Sequence, residues 1–263
     1  MSDQGLEAYQ PPKLPSVRTI HFSDVRAALL AGWQDFKKAP LLGLFFGGFY
    51  AVGGLAIWAG LMVYNMPWMI IPLAIGFPLV GPFVAVGTYE VSRRLLAGEP
   101  LVWRQIFFLI LGQRERQLGW MAFVVLFIFW IWVYQIRLVM ALFLGFKTYS
   151  SLGEFLSIVT TTPEGLGFLA VGTIIGALIS FSLFAATVVA MPLLMARDID
   201  FVSAIIVSFN AVRINFLPML GFALVVGGLT LVAMLPAFMG LLVVLPVLGH
   251  ATWHLYTKVV VHA

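Results

Sequence analysis

Long apolar stretches separated by short polar segments dominate this sequence. The hydrocarbon core of a membrane is about 30 Å thick and is crossed by about 20 apolar residues in a helix. Six stretches reach that length: Leu41–Tyr64, Trp68–Leu96, Leu118–Phe143, Leu166–Met195, Phe216–Leu235 and Ala237–Val261. Pro236 must separate the last two, because one helix over 216–261 would be about 69 Å long. The pattern therefore predicts an all-α, polytopic membrane protein with six transmembrane helices arranged as three helical hairpins.

A short amphipathic segment precedes each predicted hairpin. Its apolar residues recur at helical spacing along one stripe, and its basic residues lie off that stripe. The three segments are Asp24–Lys38, Pro100–Arg116 and Asp200–Asn215, of which the first and third align without a gap. Helices of this kind lie at the membrane surface with basic residues towards the lipid headgroups. We expect three short cytoplasmic interfacial helices, and repeat units at approximately 24–96, 100–196 and 200–261.

The first 22 residues differ from the rest of the chain. They contain Pro11, Pro12 and Pro15 together with charged residues, and they lack an apolar run. This composition predicts an extended cytoplasmic N-terminal tail over residues 1–22 and no cleavable signal peptide. Residues 23–263 then form a single six-span membrane domain, because the largest segment between spans, 145–165, is too short for a catalytic domain.

Composition supports a lipid environment for most of the chain. The sequence is 62% hydrophobic and 10% charged, whereas soluble globular domains contain about 25% charged residues. This excludes a soluble enzyme, a nucleic-acid-binding domain and a disordered protein. We expect the lipid bilayer as a partner and no nucleic acid. The chain has no cysteine, which removes thiolate nucleophiles and cysteine-ligated metal centres.

The distribution of Lys and Arg predicts the orientation. Of the 15 such residues, only Arg137 and Lys147 fall on the outer side when six spans alternate across the membrane. Because Lys and Arg resist translocation, both termini are expected in the cytoplasm. Arg137 lies about 10 Å beyond the centre of the third span, and we expect it to anchor the outer interface. Trp130 and Trp132 lie too deep for an interfacial aromatic belt and are expected to pack against a helix or a partner.

Small residues recur at four-residue spacing in two predicted spans. Gly43 and Gly47 form one such pair in the first span, and Gly172 and Gly176 form another in the fourth. Small residues at this spacing let helix backbones approach closely within a membrane. Both pairs therefore favour tight helix packing and identify no partner.

The even-numbered spans share a proline about two turns before a polar residue near the cytoplasmic end. The prolines are Pro82, Pro192 and Pro246. Proline removes an amide donor and kinks a helix. Two interpretations stay open: bent hairpins packed around a common axis, or a kinked vestibule with a polar floor. The residues proposed for that floor are Glu90, Asp198, Asp200 and His254.

His250 and His254 lie four residues apart on the sixth predicted span and therefore share one helix face. This spacing suits a metal, but it cannot place two imidazoles on opposite faces of one haem. Three interpretations stay open: neutral histidines bonded to neighbouring groups, a proton or ion relay, and metal or haem ligation. We expect no metal centre, no catalytic residue and no cofactor, with His250 and His254 as the candidate cofactor-binding residues and haem as the alternative.

Three stretches together resemble an uncharacterised family of bacterial six-span membrane proteins. They are PLVGPFVAVGTYEVSRR, MPLLMARDIDFVSAI and GHATWHLYTKVV. Members of the family are sometimes labelled as similar to cytochrome c oxidase subunit I. A haem–copper oxidase core uses six histidine ligands on several helices, whereas this chain has 4 histidines, of which His21 and His262 lie in the flanks. The resemblance implies a fold and a bacterial inner-membrane location, with no established activity.

These observations predict a non-catalytic membrane protein. We expect an accessory or assembly subunit of a larger inner-membrane complex, with a respiratory complex as one option, bound to another membrane protein or to a second copy of itself. One alternative is a small transporter or channel with the polar cytoplasmic vestibule described above. Another is a haem- or quinone-binding membrane protein. No Walker loop, dinucleotide fingerprint, HExxH or GxSxG pattern occurs in the sequence, so an enzyme is not expected.

Overall fold

The computed structural model describes residues 14–62, 70–113, 117–145 and 152–261, and these residues are almost entirely helical. Within them, no strand occurs beyond one antiparallel bridge between Val17 and Val260. The helices are α1 Phe22–Lys38, α2 Pro40–Met62, α3 Ile70–Ala97, α4 Trp103–Gln113, α5 Leu118–Leu144, α6 Leu152–Thr161, α7 Pro163–Thr187, α8 Ala190–Ala196, α9 Phe201–Ile214, α10 Phe216–Met234 and α11 Leu241–Val259. The all-α prediction is confirmed.

Long helices occupy the positions of all six predicted spans, namely α2, α3, α5, α7 with α8, α10 and α11. Among the described residues, four candidate spans are long and apolar enough to cross a membrane: Pro40–Gly60, Leu118–Leu144, Pro163–Ala196 and Phe216–Met234. The chain is therefore an integral membrane protein with several spans. The crossing of α3 and α11, and with it the number six, stays a prediction. The helix break predicted at Pro236 is present, because that residue lies between α10 and α11.

The fourth predicted span is interrupted between α7 and α8. Pro192 explains the break, because proline has no N–H to donate to the carbonyl four residues earlier, at Val188, and its ring crowds that carbonyl. Ser208 of α9 fills the gap. Its Oγ donates to the Ala185 carbonyl at 2.7 Å and accepts from the Val189 N–H at 3.1 Å. The break is thus stabilised by a side chain from a different helix.

α11 lies at the centre of the best-packed part of the fold, against α1, α2, α3 and α10. Two glycines permit these contacts. A Cβ at Gly47 of α2 would lie 2.4 Å from the Leu242 carbonyl oxygen, and a Cβ at Gly32 of α1 would lie 2.6 Å from the Val247 carbonyl oxygen. Only glycine lets the two backbones come this close. The predicted interfacial helix α1 is therefore packed on protein along one face, as well as lying at the end of the spans.

Residues 14–21, the part of the predicted tail that the structure describes, are held against the rest of the fold. The Arg18 N–H donates to the Val259 carbonyl at 2.9 Å. Asn215, at the junction of α9 and α10, accepts from the Ile20 N–H at 2.7 Å and donates to the Arg18 carbonyl at 3.0 Å. These bonds join the start of the described chain to the end of α11 and to the junction of α9 and α10. Residues 1–13 lie outside the described part.

Candidate functional site

Four polar side chains are buried together where α1, α3 and α11 meet. They are Asp35, Ser92, His250 and His254, called the polar cluster below, and each is at most 8% exposed. His250 and His254 reach the same place because four residues separate them on α11. Asp35 reaches it because it lies on the buried stripe of α1. The cluster thus joins groups from three helices that are far apart in sequence.

Hydrogen bonds connect all four members of the polar cluster. Oδ2 of Asp35 lies 2.8 Å from Ser92 Oγ and 2.7 Å from His254 Nε2. Ser92 Oγ also lies 2.8 Å from His250 Nδ1. Both histidines therefore approach one carboxylate, His254 directly and His250 through the serine hydroxyl.

The positions of the protons in this hydrogen-bond network follow from the number of donors. An ionised Asp35 only accepts, so Ser92 donates its one hydroxyl proton to the carboxylate. His250 Nδ1 must then donate to Ser92 Oγ. In a neutral ring this leaves Nε2 of His250 without a proton. That nitrogen is buried and no hydrogen-bond partner with acceptable geometry occurs among the described residues, although the Thr88 carbonyl lies close to the ring. His250 Nε2 is therefore a buried position in the cluster that could take up a proton.

Asp35 remains ionised in its folded environment. Burial opposes ionisation, but hydrogen bonds from His254 and Ser92 outweigh burial, so the pKa of Asp35 lies below its usual range. When His254 is protonated, the contact between the two residues is an ion pair. A buried carboxylate balanced in this way ties α1 to α11, and removing either partner would leave a charge or a donor without compensation.

Two kinds of chemistry do not fit the polar cluster. A Ser-His-Asp catalytic triad places the histidine between the serine and the acid. Here the serine lies between His250 and Asp35, and Ser92 is 0% exposed. In the described ranges, no group of three or more His, Cys, Asp or Glu side chains has metal-binding geometry. The arrangement can hold and redistribute protons, and it can fix three helices.

The residues proposed for the vestibule have different surroundings. Glu90 is 0% exposed and pairs with Arg93 at 2.7 Å and Arg94 at 2.6 Å. Asp200 caps α9 by accepting from the Ser203 N–H at 2.9 Å. Asp198 is exposed beside it, and His254 belongs to the polar cluster. The structure therefore gives Glu90, Asp200 and His254 separate partners, and a shared vestibule stays a prediction.

Asp35 and Ser92 are the members of the polar cluster that sequence reasoning missed, and of the two Asp35 had a signal in the sequence. The signal was its position, because Val25, Ala28, Gly32 and Asp35 follow one another at spacings of three and four residues, as a buried helical stripe does. An acidic residue in register with an apolar stripe indicates a buried charge that needs a partner. The identity of that partner, 219 residues away, had no local signal.

A second unusual feature is the outer surface of α5. In the most apolar stretch of α5, 6% of the residues are buried, compared with 35% in the corresponding stretch of α2. Five aromatic residues alternate at spacings of three and four along one exposed face, and together they are called the aromatic stripe: Trp120, Phe123, Phe127, Trp130 and Tyr134, each between 40% and 60% exposed. Neighbouring rings contact one another, as in the stacked pair Phe123 and Phe127 at 6.4 Å.

Arg137 continues the aromatic stripe by one more step of three residues. Its side chain is exposed, and within the described part of the chain it has no hydrogen bond or ion pair. Gln135, two residues earlier, has both side-chain polar atoms buried without a partner among the described residues. The proposed role of Arg137 as an outer interface anchor stays a prediction. Trp132 lies near Gly176 of α7. Of the two deep tryptophans, Trp130 and Trp132, it is therefore Trp132 that faces another helix of this chain.

Comparison with known proteins gives one match. Residues 70–196 match the family model described as predicted integral membrane protein (DUF2189). No curated protein and no solved structure matches the chain. The matched range contains the first of the three stretches that resemble an uncharacterised membrane-protein family, so that resemblance is confirmed. Ser92 and α5 lie inside the matched range, whereas Asp35, His250 and His254 lie outside it.

Proposed function

We propose that this integral membrane protein is a non-catalytic accessory or assembly subunit that binds another membrane protein through α5. The aromatic stripe supports this proposal. α10, which also has little burial, exposes aliphatic side chains such as Leu224 and Leu231, and α7 exposes Ile174 and Leu178. α5 instead exposes large rings along most of its length. Aromatic residues and arginine are enriched at protein interfaces and at the positions that contribute most to binding.

The spacing of the aromatic stripe fits a helical partner. Side chains that alternate at three and four residues form a continuous ridge on a helix, and such ridges pack against a second helix at a crossing angle of about 20°. Aromatic rings lose few rotatable bonds when they are buried, so they contribute contact area at low entropic cost. A partner helix lying along α5 would cover all five rings.

The proposal includes an orientation with both termini in the cytoplasm of a bacterium and spans in its inner membrane. The short helices α1, α4 and α9 would then lie at the cytoplasmic surface. Two of them expose an aromatic ring beneath a basic group: Lys37 Nζ lies 5.9 Å from the Trp33 ring, and Arg104 lies 5.5 Å from the Phe108 ring. Paired rings and cations are typical of helices at a membrane interface.

Affinity purification in mild detergent tests the accessory role. We expect the tagged protein to purify with a stoichiometric membrane protein, and the double substitution Phe127→Ala with Trp130→Ala to remove it. The matched control is Ile174→Ala with Leu178→Ala, which truncates two exposed side chains on α7 and should leave the complex intact. Absence of a stoichiometric partner, or equal loss in both double variants, would reject the proposal.

The polar cluster favours a second candidate function, proton-coupled transport. Ionisable groups buried within a membrane protein frequently belong to proton pathways, and His250 Nε2 is a buried acceptor without a proton donor among the described residues. Proton uptake into proteoliposomes, followed with a pH-sensitive dye, tests this function. His250→Gln and Ser92→Ala should abolish uptake, whereas Ser182→Ala, which removes a hydroxyl bonded within α7, should not. Haem ligation is not proposed, because His250 and His254 share one face of α11 and cannot bind the two faces of one haem.

A further inference from the structure

We propose that Arg137 binds a carboxylate on a membrane-spanning helix of the partner protein. This inference rests on the proposed function. It specifies which chemical group of the partner lies at the depth of Arg137. Arg137 lies on α5 in register with the aromatic stripe, three residues after Tyr134. A guanidinium keeps its charge under all physiological conditions and presents a planar pair of donors that matches a carboxylate.

Arg137 lies within the apolar length of α5 and not at its end. Arg137 is seven residues before Leu144, the last residue of α5, which places its Cα about 10 Å inside the nearer helix end. Side chains on a helix lean towards the N-terminus. The first bonds of the Arg137 side chain therefore run along the same face as the aromatic stripe, where a partner helix on that stripe would meet them.

Among the described residues, no carboxylate pairs with Arg137. In the four apolar spans, Glu164 is the one acidic residue, and it lies in the first turn of α7. Glu90 on α3 is fully buried and is already paired with Arg93 and Arg94. Of the other described acids that follow α5, Glu154 on α6 already has an interaction and Glu164 lies at a helix end. We therefore take a different protein as the source of the carboxylate.

Site-specific photo-crosslinking in native membranes tests the inference. A photo-reactive residue is placed at Tyr134 or Leu138, which flank Arg137 and are each 60% exposed, and separately at Phe127 on the aromatic stripe. The crosslinked segments are then sequenced. We expect the two positions beside Arg137 to label a membrane-spanning segment of another protein, with an Asp or Glu within about one helical turn of the labelled residue.

The variants of Arg137 then measure the contribution of the charge. Arg137→Leu should reduce the amount of co-purified partner roughly tenfold, whereas Arg137→Lys should retain most of it. Exchange of the two charges, with Arg137→Asp combined with replacement of the partner's acid by lysine, should restore binding. A labelled span without an acid, or equal binding by Arg137→Leu and the wild type, would overturn the carboxylate proposal while labelling at Phe127 still supports a partner. Lipid adducts alone at all three positions would overturn both proposals.

Discussion

The carboxylate of Asp35 on α1 lies 2.7 Å from Nε2 of His254 on α11, although 219 residues separate them in the sequence. Both side chains are buried. The contact ties the short first helix to the last long helix, directly beside the bond that Ser92 of α3 donates to Asp35. The polar cluster therefore fixes the position of three helices through groups that are costly to bury alone.

Removing the carboxylate should destabilise the fold. Asp35→Ala leaves a donor of His254 and the hydroxyl of Ser92 without an acceptor, and we expect a loss of about 3 kcal/mol. Asp35→Asn should cost less, because the amide oxygen still accepts. Thermal unfolding in detergent measures the effect. Arg26→Ala, a charge removal on the exposed side of α1, is the control and should change the midpoint little. Equal stability of Asp35→Ala and the wild type would contradict the structural role.

Two neighbouring glycines on α2 allow a matched test of the packing against α11. A Cβ at Gly47 would overlap the Leu242 carbonyl, whereas a Cβ at Gly48 meets nothing within 4 Å. Gly47→Ala should therefore destabilise the protein by about 1–3 kcal/mol, because the backbone of α11 must shift. Gly48→Ala should be neutral or slightly stabilising, because alanine favours the helix. Thermal unfolding of the two variants side by side distinguishes these outcomes, and similar midpoints would show that α2 does not approach α11 this closely.

Ser208 should be essential for the break between α7 and α8. Ser208→Ala leaves the buried Val189 N–H without its acceptor, which costs about 1–2 kcal/mol. Ser182→Ala removes a hydroxyl that bonds the Leu178 carbonyl on its own helix, so its effect should be close to zero. Amide hydrogen exchange provides the specific readout: faster exchange at Val189 in Ser208→Ala, and no change there in Ser182→Ala. Unchanged exchange in both variants would mean that another group satisfies Val189.

Asp24 should make stability depend on pH at the acidic end. Its carboxylate accepts from the His21 N–H at 3.0 Å and from Lys258 Nζ at 3.2 Å. The backbone bond from His21 is the larger cause, and with Lys258 it lowers the pKa of Asp24 below its usual range. A lowered pKa in the folded state means that the stabilisation is complete above the unfolded pKa, about 4, and is lost as the pH falls through the folded value.

Comparison of Asp24→Asn with the wild type isolates this dependence. The difference in unfolding midpoint should be largest near pH 6 and should shrink as the pH falls below about 4, because Asp24 of the wild type then becomes protonated. Unfolding followed by tryptophan fluorescence across this range gives the measurement. A difference that stays constant down to pH 3 would show that the ionised carboxylate contributes nothing to the cap of α1.

Much of the helical framework could be predicted because the relevant signal is local. Apolar stretches of about 20 residues define where helices can cross a membrane, and the predicted stretches coincide with the long helices, including the turn at Pro236. The close packing expected at Gly47 is present. At Gly172, in contrast, a Cβ would meet nothing within 4 Å, because the same spacing of small residues occurs whether or not another helix lies beside it.

The sequence by itself determined the solvent of this protein, the positions of its long helices and the histidine pair on α11, since each depends on composition or on spacing within one helix. Only the tertiary structure decided that α1 packs on α11, that Asp35 bonds His254 directly and His250 through Ser92, and that α5 leaves the aromatic stripe and Arg137 uncovered. These features depend on which helix faces which. In a membrane, apolar side chains are equally compatible with lipid and with protein, so hydrophobic pattern alone does not distinguish a packed face from an open one.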